Sequence, residues 1–307
     1  MAKKIIGTCC ICGKEKKLTY EHLPLRGTGN KIPMVERAAL LNNQKDVIRQ
    51  QGSGLHSLCE SCNNNTGSWY GNEYEKFHSY IINSGNTEIQ KSIYTGEIKI
   101  YTNEIKIKPL KVFKEIVCMF LSINPPPIFL KERENFKNFI LNREEKDLKN
   151  IKVYMYIQDS KSKINRRNAF NKLIDLLYGR TVFVSEFVSN GIGYILTLDN
   201  KNTWHVDEFA YKCKGLYDIT FFKNYTIDEE VKIKIKTNIL ETNSPFSLDF
   251  REQTTIKKIK SNDMYSNLPL NIKVSDNVPI FIAYGMDSRY DSKITFPKKI
   301  KVKKENQ

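Results

Sequence analysis

The spacing of hydrophobic positions changes several times along the 307-residue chain, and each change predicts an element. Trp69, Tyr70, Tyr74, Phe77 and Ile81 recur at helical spacing, which predicts a helix from about Asn63 or Ser68 to Ile82, packed by an aromatic stripe. Leu110, Phe113, Ile116, Val117, Phe120 and Leu121 predict a buried helix over 110–122, stopped by Pro125, Pro126 and Pro127. A charged helix is expected over 131–148, with Phe136, Phe139 and Ile140 inside. An amphipathic one is expected over 165–178, where Phe170, Leu173, Ile174 and Leu177 form the stripe and Gly179 the stop. Within the loop-like stretch 26–54, residues 35–41 read as a short helix.

Period-two alternation predicts the strands. Residues 5–8 and 17–20 flank the first cysteines, and Ile98, Ile100, Ile105 and Ile107 around Thr102 and Asn103 read as a β-hairpin. Further strands are expected at 153–157, 181–188, 192–198, 217–222, 231–239, 272–274 and 280–284. Ser189, Asn190 and Gly191 give the strongest hairpin turn. Lys232, Lys234 and Lys236 alternate with Val231, Ile233 and Ile235, so a lysine row lies outside a half-buried strand. A solvated edge explains that row more simply than phosphate contact. The pattern is α+β without an internal repeat. A turn at Asn83, Ser84, Gly85 and Asn86 divides it into an N-terminal unit, 1–85, and a larger mixed α+β domain, 90–307.

Composition narrows the class. With 40% hydrophobic and 27% charged residues the chain can build a core. It has no apolar run near the ~20 residues that cross a bilayer, so no membrane partner is expected. The N-terminus has a basic pair but no apolar signal segment, which places the chain in the cytoplasm. The net charge of +15 favours a polyanionic partner, nucleic acid above all. Residues 1–80 carry only +4 of it, so most phosphate attraction comes from the rest. The basic run Lys298, Lys299, Lys301, Lys303 and Lys304 could add to non-specific binding or be a solvated terminus.

The candidate chemistry is concentrated at the N-terminus. Cys9 and Cys12, then Cys59 and Cys62, have the two-residue spacing that lets each pair grip one Zn²⁺ from a short loop. Gly13 suits the knuckle after Cys12. Cys10, Cys118 and Cys213 are then free thiols, ordinary in a reducing compartment. Between the pairs lies Glu21 followed by His22, with Pro24 ending the strand. Neighbours on a regular strand face opposite ways, so these two share a site only where the strand is distorted. Asn63 follows Cys62 directly and offers a hard-cation ligand in the first turn of a helix. Arg26 is a candidate phosphate clamp or a plain surface arginine. His78 lies one helical period beyond Tyr74 and could approach the metal, although a structural role is the simpler expectation; His205 has no partner in the sequence.

The order C-x-x-C-G, acid-His-x-Pro, C-x-x-C-N over residues 8 to about 75 resembles the HNH nucleases built on a zinc-stabilised ββα-metal finger, of the endonuclease VII type. The resemblance implies a treble-clef-like zinc finger nuclease domain at the N-terminus. It implies structural zinc on Cys9, Cys12, Cys59 and Cys62, with His22 as general base. Glu21 and Asn63 would hold a catalytic Mg²⁺ or Mn²⁺. One departure is visible. The asparagine that braces the histidine loop in many members would fall near Gly54, where Gln51 or His56 are the nearby substitutes.

The expected activity is metal-dependent hydrolysis of nucleic-acid phosphodiesters, with DNA favoured over RNA. The competing reading is a non-catalytic zinc finger that binds nucleic acid, which has no need of Glu21, His22 and Asn63. A small cutter fused to a large domain without visible catalytic groups also suits an antiviral defence effector. A homodimer or a partner protein of such a system stays open at this point.

Overall fold

The structure, a computed structural model, describes residues 4–31, 34–38, 47–49, 52–83, 87–91, 98–124, 126, 132–158, 165–175, 180–198, 215–240 and 280–284. The N-terminal elements are β1 (Ile6–Thr8), β2 (Glu15–His22), β3 (Met34–Ala38), β4 (Val47–Arg49), β5 (Gly54–Cys59) and α1 (Glu60–Thr66). A π-helical turn (Gly67–Gly71) joins α1 to α2 (Asn72–Ile82). Then come β6 (Thr87–Lys91), β7 (Ile98–Thr102), β8 (Ile105–Ile107), α3 (Pro109–Ile123), α4 (Arg133–Leu141) and β9 (Ile151–Gln158). Next are β10 (Asn165–Asp175), β11 (Arg180–Ser189), β12 (Ile192–Leu198) and β13 (Tyr217–Asp218). A 3₁₀ turn (Thr220–Asn224), β14 (Val231–Ile233), β15 (Lys236–Leu240) and β16 (Ile280–Tyr284) complete the chain. The fold is mixed α+β. No helix among the described residues is long and apolar enough to cross a membrane.

Three sheets form. The first, β1-β2-β5, is antiparallel and carries the cysteine pairs. The second runs β4-β3-β16-β10-β11-β12-β9-β15-β7-β6, with β13 on β9, and the third pairs β14 with β8. The helix at the centre is α3. Pro109 opens it, where the missing amide proton costs nothing. Every residue from Pro109 to Ile123 except Lys111 is buried, as befits a helix apolar nearly all round. Buried Lys114 donates to the carbonyls of Phe139 (2.6 Å) and Asn142 (2.7 Å), so its charge satisfies the end of α4. One apolar cluster contains Leu18, Leu58 and Tyr74 together with Phe113, Phe139, Met155 and Tyr194, and so runs through both halves of the chain.

The hairpin at 189–191 forms as expected. Ser189 pairs with Ile192, and Asn190 (φ 48) and Gly191 (φ 87) both take the left-handed backbone of a tight two-residue turn. Lys232, Lys234 and Lys236 are exposed, while Ile233 and Ile235 are buried. Other expectations are corrected. The helix expected over 165–178 does not form over its described residues, 165–175. These form β10, because β11 on one side and β16 on the other supply backbone partners that a helical stripe does not outweigh. Residues 34–38 likewise form β3, paired with β4 and β16, rather than part of a helix. The helix expected over 131–148 closes at Leu141, where Asn142 is extended. β7 and β8 do not pair with each other. The 231–240 segment runs past both, taking β8 with β14 and β7 with β15, and Thr102 exchanges hydrogen bonds with Ile235 at the step between them. Residues 217–222 make a two-residue strand and a 3₁₀ turn. The expectations for 272–274, 298–304, Cys213 and His205 concern residues outside the described ones.

Candidate active site

The site begins with sulfur. The Sγ atoms of Cys9, Cys12, Cys59 and Cys62 all lie within 4.8 Å of one another. Sulfurs around tetrahedral zinc at ~2.3 Å stand ~3.8 Å apart, and Cys12 and Cys59 are 3.9 Å apart. The group can therefore hold a metal ion such as zinc. The local chain is built for it. Gly13, at φ 71, turns the knuckle so that its amide reaches the Cys9 carbonyl (2.9 Å), and the Cys9 amide reaches Lys14 (3.0 Å). A hydrogen bond from Cys62 and the amides of Cys59, Cys12 and Ile11 draw the Cys9 thiol down to about 5 despite burial. Cys62, the donor to Cys9, is pushed up by that same bond. A metal ion would bind the anionic Cys9 sulfur and take the place of the thiol protons around it. Cys10 stands apart from the group. Its thiol points to the Asn124 carbonyl (3.9 Å), and burial raises its pKa.

Sulfur then fixes the cleft. Cys59 ends β5 and caps α1, so Asn63 falls one turn into that helix. β5 pairs with β2, placing His22 opposite Gly54. The register slips between Thr19 and Tyr20, with Ser57 as the extra residue on β5. The extra residue is on β5, while Tyr20, Glu21 and His22 pair in regular register with His56, Leu55 and Gly54, so the bulge serves to bring Ser57 to Glu21. A cleft of about 220 Å³ results, lined by Tyr20, Glu21, His22, Leu25, Arg26, Asn63, Gly67, Gly71, Asn72 and Glu75.

Each predicted residue has a definite setting. His22 packs edge-on against Tyr20, ring centroids 5.3 Å apart. Its Nδ1 is buried and has no hydrogen-bond partner among the described residues. Burial first, then the Arg26 charge, lowers its pKa, against the Asn30 backbone carbonyl, which pulls the other way. The ring is thus neutral near pH 7. Glu21 is 4% exposed, and Ser57 (2.8 Å) and Ser122 both donate to its Oε2. Neither serine takes Oε1. Burial raises this carboxyl to about 7, with the serine hydroxyls opposing. The Asn63 amide donates to Thr19 Oγ1 (3.0 Å), which leaves its carbonyl oxygen as the acceptor. Arg26 is exposed on a 3₁₀ turn at the rim. The turn is held by Glu75, which accepts the Gly27 amide (2.9 Å), and by Asn190, which donates to the Thr28 carbonyl (2.6 Å). His78 does not reach the cleft. It is fully buried beside Tyr74, with Nε2 3.4 Å from the Ser189 carbonyl, and burial lowers it to about 4.

Sequence reasoning missed Asn30. Its buried Nδ2 donates to the carbonyls of Pro24 (2.6 Å) and Ser53 (2.7 Å), and its Oδ1 accepts the Ser53 amide (2.7 Å). This side chain ties the loop after His22 to the start of β5. The brace sought near Gly54 comes from the other strand's loop instead. Gly52 (φ 93) is its signature, because a Cβ there would stand 2.2 Å from the Asn30 carbonyl oxygen. Ser57 and Ser122 were missed too, since neither carries a local signal.

Comparison with known protein families, curated proteins and solved structures finds no match for this chain. The assignment of the cleft rests on its own residues.

Proposed function

We propose that the cleft is the active centre of a metal-dependent HNH-type nuclease, a ββα-metal finger in which β2, β5 and α1 are tied by zinc. The observation that carries this is that His22, Glu21 and Asn63 line one cleft, on strands and a helix that also carry a four-cysteine group able to hold a metal ion. The two serines on Oε2 orient the Glu21 carboxylate as outer partners commonly orient metal-binding groups. Glu21 and Asn63 would hold Mg²⁺ or Mn²⁺, which supplies positive charge to the phosphate and the departing oxygen.

The remaining steps belong to the chain. His22 takes a proton from water. The water oxygen forms a bond to phosphorus as the bond to the 3′ oxygen breaks, and that oxygen leaves with the electron pair. Arg26 steadies a neighbouring phosphate, and the chain's positive charge suits a nucleic-acid substrate, of which DNA is the one proposed here.

The test is cleavage of plasmid DNA with Mg²⁺ or Mn²⁺. His22→Ala should lower the rate ~10²–10⁴-fold while zinc content and melting stay as in the wild type. Wild-type protein that binds DNA but never cuts it would instead identify a zinc-finger binding module.

A further inference from the structure

The helical stretch from Glu60 to Ile82 contains two glycines that differ in their reason for being there. Gly71 has a packing reason. A Cβ on it would lie 3.3 Å from Leu25 Cδ1, tighter than ordinary contact. Gly67 has no such reason. Its φ of −59 and ψ of −41 are ordinary helical values, and a Cβ there would meet nothing within 4 Å among the described residues. Glycine is a poor helix former because it loses the most backbone freedom. Neither dihedral angles nor neighbours account for it at position 67.

What the missing side chain leaves open is the cleft itself. Gly67 lies four residues after Asn63, on the same wall, and begins the π-helical turn. Such turns recur at functional sites. The same cleft is lined by Arg26 and Asn72, side chains that can donate to a sugar–phosphate backbone.

We infer that Gly67 is the seat over which the substrate strand passes, its sugar–phosphate backbone lying on bare helix between the phosphate at Asn63 and the one held by Arg26. This rests on the nuclease assignment. Any side chain at 67 would occupy the path of the strand without disturbing the protein's own packing.

Gly67→Ala and Gly67→Leu test it in the full-length protein. The readouts are thermal melting, bound zinc, anisotropy of a fluorescent DNA oligonucleotide without added Mg²⁺ or Mn²⁺, and cleavage rate with it. The leucine variant should melt at or above the wild type and keep its zinc. Its oligonucleotide affinity should fall about tenfold and its kcat/KM ~10²-fold, with alanine in between. Leucine protein that binds and cuts like the wild type overturns the inference. So does a Tm well below wild type in both variants, which would assign the glycine to the π turn. If the wild type never cuts and the leucine variant still loses affinity, the strand path stands and the nuclease assignment falls.

Discussion

The two sides of the helix from Glu60 to Ile82 are built for different purposes. One side carries Asn63, Gly67, Gly71 and Glu75, and it lines the cleft with small and polar groups. The other carries Tyr70, Tyr74, Phe77, His78 and Ile81, all buried. Tyr70 donates to the Ile140 carbonyl (2.7 Å), and Phe77 meets Phe222 edge-on. The core side is filled by bulk, and its one histidine is shut in. The cleft side is kept open, and its histidine, across on β2, is half-buried beside an arginine. Two histidines in one small region thus have opposite fates. The difference comes from what surrounds them and not from residue type.

The largest expected effect removes both sides together. Cys59→Ser takes one sulfur from the group while leaving a good N-cap residue on α1, so bound zinc should drop from one per chain to none. Structural zinc contributes on the order of 10 kcal/mol, so the β1-β2-β5 sheet should lose cooperative melting, as circular dichroism would register. Unchanged melting with zinc absent would mean that the apolar core alone sets the cleft.

Asn30→Ala acts on the cleft side alone. It removes the three buried hydrogen bonds of this side chain, to the Pro24 and Ser53 carbonyls and from the Ser53 amide, and should cost about 3 kcal/mol, seen as a Tm lower by several degrees. Cleavage should fall further than that loss explains, because the loop after His22 loses its tie. A variant as stable and as active as the wild type would remove Asn30 from the account.

A smaller effect belongs to the core side. Burial lowers His78 from 6.5 to about 4, so the unfolded chain takes up this proton before the folded one does. Its contribution to stability is full above pH 6.5 and is lost as pH falls toward 4. His78→Phe should remove this loss from the stability profile in that window, measured by urea melts at several pH values. The raised Glu21 carboxyl acts in the opposite direction in both proteins, so the reading is the variant-minus-wild-type difference, and a difference that stays constant between pH 6.5 and 4 would place a compensating charge beside the ring.

Much of this architecture was legible because its signals are local. The Asn190-Gly191 turn, the buried stripe of α3 and the two cysteine pairs each state their geometry within a few residues. What escaped depends on distant partners. β10 has a helical stripe and becomes a strand only because β11 and β16 flank it. The 98–107 hairpin fails because residues 231–240 pair with both of its arms. Glu21 was legible as an acid next to a histidine, but its setting was not. One of its two serine partners is 101 residues away, and the bulge that brings the other, Ser57, to it appears only in the register of two strands. Asn30 likewise acts across 23 residues.

The central claim is tested most directly by soaking crystals of the protein in Mn²⁺ and collecting anomalous data above the zinc and manganese edges. The account predicts zinc among Cys9, Cys12, Cys59 and Cys62, and manganese bound by Glu21 Oε1 and Asn63 Oδ1 in the cleft with His22. Zinc without manganese in the cleft, or manganese bound away from both oxygens, would contradict it.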